Sequence, residues 1–156
     1  MNEAKTQMYE IYIHTTPDRL WEAITKSEFT RKYYFATAVE SEWRPGSALV
    51  YRFADGSSAF DAIIEEAEPG KRLVHTFKPK PEEWPSDASD PPSRVTYEIE
   101  RLGPSCLLRV THEHVTGETA VTKGTNRGWQ IILSGLKTLL ETGEPLAIEW
   151  PVEVQA

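Results

Sequence analysis

Two of the four histidines in the chain alternate, as His112-x-His114, in a stretch rich in β-branched residues. Alternate residues of a strand point to the same face, so both imidazoles would lie side by side. Two imidazoles in that arrangement could bind zinc or iron. The neighbouring sequence supplies neither the glycine spacing nor the further ligands of a known metal motif, so we expect no metal and no cofactor. We expect His112 on an inner wall as a polar group and His114 near the strand end, close to solvent.

Other residue types that perform chemistry occur without the surroundings that they need. Ser57 and Ser58 follow a turn, and Ser134 lies within a helical pattern, so none of them has the strained elbow of a hydrolase serine. The Gly124-x-x-x-Gly128 spacing lacks the lysine and the serine or threonine that complete a phosphate-binding loop. No catalytic residue is therefore predicted.

A helical pattern near the C-terminus must position the inner side chains. Its apolar residues recur at intervals of three and four and form one stripe, which consists of Trp129, Ile132, Leu133, Leu136 and Leu140. Gly143, followed by Pro145, marks the end of the helix. Thr116 and Thr119 are both candidates for its N-cap, and two glycines weaken its first turns. Small residues beside Trp129 could leave space for a ligand.

Most of the remaining chain alternates in the manner of strands. Seven strands are predicted, at residues 8–14, 39–43, 48–53, 60–66, 72–78, 94–101 and 106–115. Pro-Gly, Asp-Gly and Gly-Pro pairs separate several of them and favour antiparallel neighbours. Thr16-Pro17-Asp18 is typical of a helix start, and Ser27 begins a second short helix. These elements predict an α+β fold in which a curved antiparallel sheet wraps around the long C-terminal helix.

Length and composition restrict the class of protein. The 156 residues suit a single domain, residues 1–156. A formal net charge of −7 argues against nucleic acid as a partner, because binding to phosphates relies on a basic face. One cysteine, Cys106, cannot form an internal disulfide and fits a reducing compartment. No apolar run approaches the roughly 20 residues of a membrane span, so we expect a cytoplasmic protein without membrane insertion.

Two segments stand apart from the regular pattern. Residues 79–92 contain five prolines around Trp84 and are interpreted as a loop insertion that forms a mobile rim or a lid. Residues 144–156 form a C-terminal tail in which Leu146, Ile148, Trp150 and Val152 alternate. The tail is expected to add a strand or to contact a second subunit.

Alternation also assigns the inward faces of the strands. If His75 and Phe77 face the long helix, then Val74 faces water. The candidate ligand-binding residues obtained in this way, together with the helical stripe, are Tyr51, Phe53, Phe60, His75, Phe77, Tyr97, Val110, His112, Trp129, Ile132 and Leu133. Ordinary core packing is the alternative for each of them. Polar groups on an inward face need partners, so His75, Tyr97 and His112 favour a cavity that holds a ligand or water.

The order of strand, two short helices, six strands and long helix resembles the helix-grip fold of the START and birch-pollen-allergen superfamily (SRPBCC). Within it, the sequence is similar to the family named for the C-terminal domain of the activator of the heat-shock-protein-90 ATPase. The similarity is carried by residues 16–25 (TPDRLWEAIT), 69–77 (PGKRLVHTF), 109–113 (RVTHE), 128–129 (GW), 136–137 (LK) and 140–143 (LETG). The resemblance implies a cavity between sheet and C-terminal helix that holds lipids, steroids, polyketides or other apolar molecules. It implies no single reaction.

We therefore expect the chain to bind a small apolar molecule, with Trp129 and Phe77 as walls and His75, Tyr97 and His112 as polar contacts. One alternative is a cyclase, aromatase or hydrolase on the same scaffold, with His75 or His112 as general acid or base and Tyr97 as donor. The other is a protein-interaction module with a chaperone partner, which would have a filled interior and a large exposed apolar patch. A homodimer is a further expectation.

Overall fold

A computed structural model of the chain describes residues 4–80, 91–115 and 119–148. Within these ranges the elements are β1 (Lys5–Ile13), α1 (Pro17–Thr25), α2 (Ser27–Tyr33), β2 (Ala38–Ser41), β3 (Ala48–Arg52), β4 (Phe60–Glu68), β5 (Arg72–Pro79), β6 (Ser93–Leu102), β7 (Ser105–His114) and α3 (Ala120–Thr142). No helix of these ranges has the length and apolar character that a membrane crossing requires.

The seven strands form one antiparallel sheet in the order β1-β7-β6-β5-β4-β3-β2. Each strand from β2 to β6 pairs with the next along the chain, and β1 pairs with β7, with Lys5 opposite His114 and Ile13 opposite Cys106. The predicted α+β helix-grip fold is confirmed.

The two short helices are held by local signals and by one buried hydrogen bond. The Thr16 side chain caps α1 by accepting a hydrogen bond from the backbone N–H of Arg19, and Pro17 occupies the first turn. The Tyr33 hydroxyl, at the end of α2, donates to the carbonyl of Ala23 at 2.8 Å. This bond fixes α2 across α1, and the turn that follows α2 is thereby held over the sheet.

The long helix α3 begins at the second of the two predicted caps. Thr119 and Thr122 form a reciprocal capping box, and Gly143 ends the helix with φ of 81°. The buried stripe consists of Trp129, Ile132, Leu133, Leu136 and Leu139. Leu140, which was predicted in the stripe, is only partly buried, because the contact face turns slightly along the helix.

Strands β2 and β3 end earlier than the alternation predicts. Trp43 has φ of 57°, in the left-handed region, so β2 stops at Ser41. The backbone N–H of Phe53 donates to the carbonyl of Ser57 at 2.8 Å, which starts a turn directly after β3. Phe53 therefore leaves the regular strand, although it was predicted as part of it.

The prediction that Val74 faces water is wrong. Val74 is 2% exposed, and its partners in register are Glu66 on β4 and Thr96 on β6. Arg72 forms an ion pair with Glu66 at 3.2 Å on the same outer face. Long charged side chains cover apolar surface with their stems, so a residue in the centre of an outer face can be buried without a second layer.

Both irregular segments lie largely outside the described residues. Of the predicted loop at 79–92, residues 81–90, including Trp84, are not described. Of the tail at 144–156, residues 144–148 are described and form no strand, and Leu146 and Ile148 are exposed. Trp150 and Val152 lie outside the described residues.

Two glycines of α3 allow a test of helix packing. A Cβ at Gly135 would lie 3.2 Å from the Cβ of Tyr33, whereas a Cβ at Gly128 would meet only the Phe35 ring at 3.8 Å. Alanine stabilises a helix interior by up to about 1 kcal/mol relative to glycine. We expect Gly128→Ala to raise the free energy of unfolding and Gly135→Ala to lower it, both measured by urea denaturation. Equal effects at the two positions would contradict the close approach of α2 and α3.

Candidate functional site

A cavity of about 320 Å³ lies beside the first half of α3. The other walls are the turn after α2, the ends of β3 and β5, and the start of β4. Twelve residues line it, and none is charged: Tyr34, Phe35, Thr37, Phe53, Ala59, Phe60, Phe77, Gly124, Thr125, Gly128, Trp129 and Ile132.

The structure separates the eleven predicted site residues into two groups. Five line the cavity, namely Phe53, Phe60, Phe77, Trp129 and Ile132. The other six are buried but line no part of it, namely Tyr51, His75, Tyr97, Val110, His112 and Leu133. Four of these six contact wall residues from behind: Tyr51 and His75 contact Phe60, Tyr97 contacts Trp129, and His112 contacts both Phe77 and Trp129. Alternation identifies the inner face of a strand and not the distance between that face and the helix.

The seven lining residues that were not predicted come from irregular positions and from glycines. Gly124, Thr125 and Gly128 belong to the first turns of α3, and Tyr34, Phe35 and Thr37 belong to the turn after α2. The seventh is Ala59. The spacing of Gly124 and Gly128 places both on one helix face, and this was the available signal for a gap in the packing.

Aromatic rings form a continuous surface from the turn after α2 to β5. Tyr34 stacks on Tyr51 with centroids 4.1 Å apart, Tyr51 contacts Phe60 at 5.2 Å, and Phe60 contacts Phe77 at 4.4 Å. Such ring pairs stabilise by about 0.5–1.5 kcal/mol beyond burial. Since each ring supports the next, the wall is largely preformed.

Three residues with hydroxyl groups line the cavity, namely Tyr34, Thr37 and Thr125, and the two threonine hydroxyls donate to other groups of the protein. Thr37 Oγ1 donates to the carbonyl of Tyr34 at 2.6 Å, and Thr125 Oγ1 donates to Gln7 Oε1 at 3.0 Å. The wall therefore presents mainly carbon to the interior.

Phe35 lies at the mouth of the cavity in a strained conformation. Phe35 and Ala36 have φ of 50° and 59°, in the left-handed region that non-glycine residues rarely adopt. Behind them, Thr30 Oγ1 donates to the carbonyl of Thr37 and accepts from the N–H of Val39. These buried bonds hold the ends of the turn, and the side chain of Phe35 remains 47% exposed.

His112 joins α3 to the sheet through both of its ring nitrogens. The indole N–H of Trp129 donates to His112 Nδ1 at 3.0 Å, so Nε2 carries the imidazole proton and donates to Ser93 Oγ at 2.7 Å. Ser93 Oγ donates in turn to the carbonyl of Phe77 at 3.3 Å. Burial, and then the nearby His114 and His75, hold the pKa of His112 well below its ordinary value. His112 is thus a neutral group that orients the Trp129 wall.

His114 is buried, contrary to the expectation of solvent contact. It is 5% exposed, and its ring stacks on that of His112 at 4.0 Å. Gln7 Nε2 donates to the carbonyl of Thr122, so its Oε1 accepts from His114 Nε2 at 2.8 Å and from Thr125. His114 is buried because β1 and the start of α3 cover the end of its strand.

His75 lies one layer behind Phe60 and is fully buried. Its Nδ1–H donates to the carbonyl of Thr76 at 2.7 Å. Burial lowers the pKa of His75 to about 4. Tyr97 contacts it with ring centroids 6.0 Å apart, and the Tyr97 hydroxyl is hydrogen-bonded to that of Tyr51. Burial raises the pKa of both tyrosines, so every polar group in this layer is neutral at physiological pH.

The described residues supply no further metal ligands around the pair His112 and His114. Among the described residues, no group of three or more histidine, cysteine, aspartate or glutamate side chains could hold an ion. Glu118, the residue next along the chain with a suitable side chain, lies outside the described residues.

A comparison with known protein families shows the family of the chain. The profile of the family described as Activator of Hsp90 ATPase homolog 1-like protein matches residues 14–141. This chain belongs to that family. All twelve cavity-lining residues fall within the matched range. No curated protein matches the chain in sequence.

Solved structures share the fold of this family member at low identity. CalU16 from Micromonospora echinospora has a TM-score of 0.71 at 17% identity, over 92% of this chain and 78% of CalU16. The Aha1 dimer from Colwellia psychrerythraea has a TM-score of 0.71 at 21% identity, over 89% of this chain and 98% of Aha1. DynU16, a protein of the dynemicin biosynthetic locus, has a TM-score of 0.72 at 20% identity, over 94% of this chain and 51% of DynU16. At these identities the likeness concerns the fold alone.

The bond between Trp129 and His112 can be tested by mutation. Trp129→Phe keeps an aromatic ring but leaves His112 Nδ1 as a buried acceptor without a donor, which costs about 1–3 kcal/mol. We expect a loss of this size in the free energy of unfolding, and a smaller loss for Trp21→Phe, at a partly buried tryptophan of α1. A double-mutant cycle with His112→Leu should give a coupling energy of about 1 kcal/mol or more. A coupling near zero would show that the bond does not hold α3.

The buried histidines predict a loss of stability in mild acid. The folded pKa of His75 is about 4, and the unfolded value is about 6.5. Below the unfolded value the unfolded state binds a proton that the folded state does not, so stability falls as pH falls and is restored as pH rises. At pH 5 the loss from His75 is about 2 kcal/mol, and His112 adds to it in the same direction.

Urea denaturation at pH 7.5 and pH 5.0 should show this loss in the wild type. His75→Phe removes one of the two groups, so its stability should decrease less over the same interval. An equal decrease in both proteins would mean that His75 does not determine the acid sensitivity.

Proposed function

We propose that this protein binds a small, uncharged, apolar molecule in the cavity between α3 and the sheet. The observation that carries the proposal is the cavity wall: none of its twelve residues is charged, and half of them are aromatic, namely Tyr34, Phe35, Phe53, Phe60, Phe77 and Trp129. Ligand sites are typically concave and mostly apolar.

The volume limits the size of the molecule. About 320 Å³ lies at the lower end of the roughly 300–1,000 Å³ of ligand pockets. It is about twice the roughly 150 Å³ of an engineered apolar cavity that accepts benzene. A molecule with two fused aromatic rings, or one of similar size, fits this space.

The glycines of α3 support a binding role for the space. Each glycine in a helix interior costs up to about 1 kcal/mol relative to alanine. At Gly135 the close approach of Tyr33 explains this cost, but the position of a Cβ at Gly128 is open apart from the Phe35 ring at 3.8 Å. Packing against other parts of the protein therefore does not require a glycine at position 128. A ligand that occupies the space of the missing side chain would require one.

The enzyme alternative has less support from the geometry. A general acid or base needs a ring nitrogen that reaches the substrate. Both nitrogens of His112 are engaged, with Trp129 and with Ser93, and neither His112 nor His75 lines the cavity.

The interaction-module alternative predicts a filled interior, whereas a cavity of about 320 Å³ is present. The exposed apolar side chains of the described residues are distributed over β1, β4, β6 and several connections. Single exposed apolar residues are normal on protein surfaces. A chaperone partner and a homodimer stay predictions. One structural neighbour, DynU16, belongs to the dynemicin biosynthetic locus, which agrees with a role that involves small molecules.

Filling the cavity provides the test. We expect Gly128→Leu to place its side chain in the space next to Phe35 and to abolish binding of naphthalene, a neutral fluorescent probe with two fused rings. Ser134→Leu, at an exposed position of the same helix, should leave binding unchanged. Probe fluorescence gives affinity, and circular dichroism confirms the fold of each variant. A wild type that does not bind the probe or other two-ring aromatics would refute the proposal, as would unchanged binding in Gly128→Leu.

A further inference from the structure

His75 contains a buried polar atom that the protein itself does not satisfy. Among the described side chains, Nε2 of His75 is the only buried nitrogen or oxygen atom without a hydrogen-bond partner. Because Nδ1 carries the proton that is donated to the Thr76 carbonyl, Nε2 presents a lone pair and can only accept. A buried acceptor without a donor costs about 1–3 kcal/mol.

His75 lies close to the cavity, although it does not line it. Phe60 lines the cavity, and its ring lies parallel to that of His75, at 16° and 6.4 Å between centroids. Phe77, two residues further along the same face of β5, lines the cavity as well. Tyr97 contacts both His75 and the wall residue Trp129. His75 is therefore separated from the cavity by one layer of aromatic rings.

The neighbouring groups limit the chemistry of a donor that could reach Nε2. The layer is buried and its tyrosine hydroxyls form a hydrogen bond with each other. The carboxylate that acts on His75, that of Glu65, is paired with Arg94 at 2.7 Å, so it does not balance the charge of an incoming ammonium, and no cation of the layer balances a carboxylate. A hydroxyl group is neutral, donates one hydrogen bond and accepts others. It can donate that hydrogen bond to His75 Nε2 without bringing a charge into the layer.

We propose that the ligand is an apolar molecule with one terminal hydroxyl group, and that this hydroxyl donates to Nε2 of His75 behind Phe60. The inference rests on the proposed function and specifies its ligand class as a phenol or an alcohol. For the hydroxyl to reach Nε2, the ring of Phe60 must turn away from that of His75.

A pair of probes of the same shape tests the proposal. 2-Naphthol and 2-methylnaphthalene differ only in a hydroxyl in place of a methyl group. The quantity of interest is the ratio of their dissociation constants, compared between wild type and His75→Phe, because the difference in hydration of the two probes cancels in this comparison. We expect the wild type to favour 2-naphthol by about tenfold more than His75→Phe does, as one hydrogen bond implies. Binding of 2-methylnaphthalene should change by less than about twofold and serves as the internal control.

The outcomes separate this inference from the proposed function. If the wild type binds neither probe, the proposed function itself fails. If both proteins bind both probes with the same ratio, the cavity is a ligand site but the hydroxyl contact is wrong.

A measurement on the wild type covers the case in which His75→Phe does not fold. In ¹⁵N-labelled protein the Nε2 resonance of His75 should move when 2-naphthol is added and stay in place with 2-methylnaphthalene. An unchanged Nε2 resonance under saturating 2-naphthol would overturn the proposal.

Discussion

The hydrogen bond from Trp129 to His112 is the contact on which the arrangement of α3 depends. An indole N–H can only donate, and a buried imidazole needs a partner at each nitrogen, so the two groups satisfy each other in one orientation. Ser93, on β6, accepts the hydrogen bond from the other ring nitrogen of His112, Nε2. The bond fixes the rotation of α3 about its axis. That rotation directs Ile132 and Leu136 inward and leaves Gly128 beside Phe35.

The two halves of α3 differ in how closely they pack against the rest of the protein. In the C-terminal half, Gly135 lets the backbone approach Tyr33, and Leu136 and Leu139 are buried in the core. In the N-terminal half the missing side chains of Gly124 and Gly128 leave the cavity open. Because Leu136 and Leu139 lie away from the cavity, binding of the proposed ligand would leave the packing of the C-terminal half in place.

The fold was predictable because its signals are local. The glycine and proline turns separate strands, Thr16-Pro17 starts a helix, and the apolar stripe repeats along α3. The site was predictable only in part. His114 is buried because Gln7, 107 residues away, accepts its hydrogen bond. Such pairings depend on which elements meet in space, which alternation along one strand cannot show.

The turn at Phe35 was missed for a different reason. Positive φ is normally marked by glycine or asparagine, and here Phe35 and Ala36 adopt it without either. The buried bonds of Thr30 and Thr37 impose the conformation from outside the tip of the turn. A strained aromatic residue at a cavity mouth is a structural feature that composition does not reveal, and it explains why the three lining residues of this turn, Tyr34, Phe35 and Thr37, were absent from the predicted site.

Neutrality of the inner layer also restricts the ligand beyond size and shape. The pKa values of His75 and His112 lie below their ordinary values because burial disfavours the imidazolium, and the same burial disfavours any carboxylate brought beside them. A fatty acid would have to keep its carboxylate at the mouth near Phe35, where no cationic side chain lines the wall. A neutral molecule meets no such cost at either end of the cavity. For the proposed binding site, the electrostatics of the buried layer therefore favour uncharged aromatic or polyketide-like compounds over fatty acids.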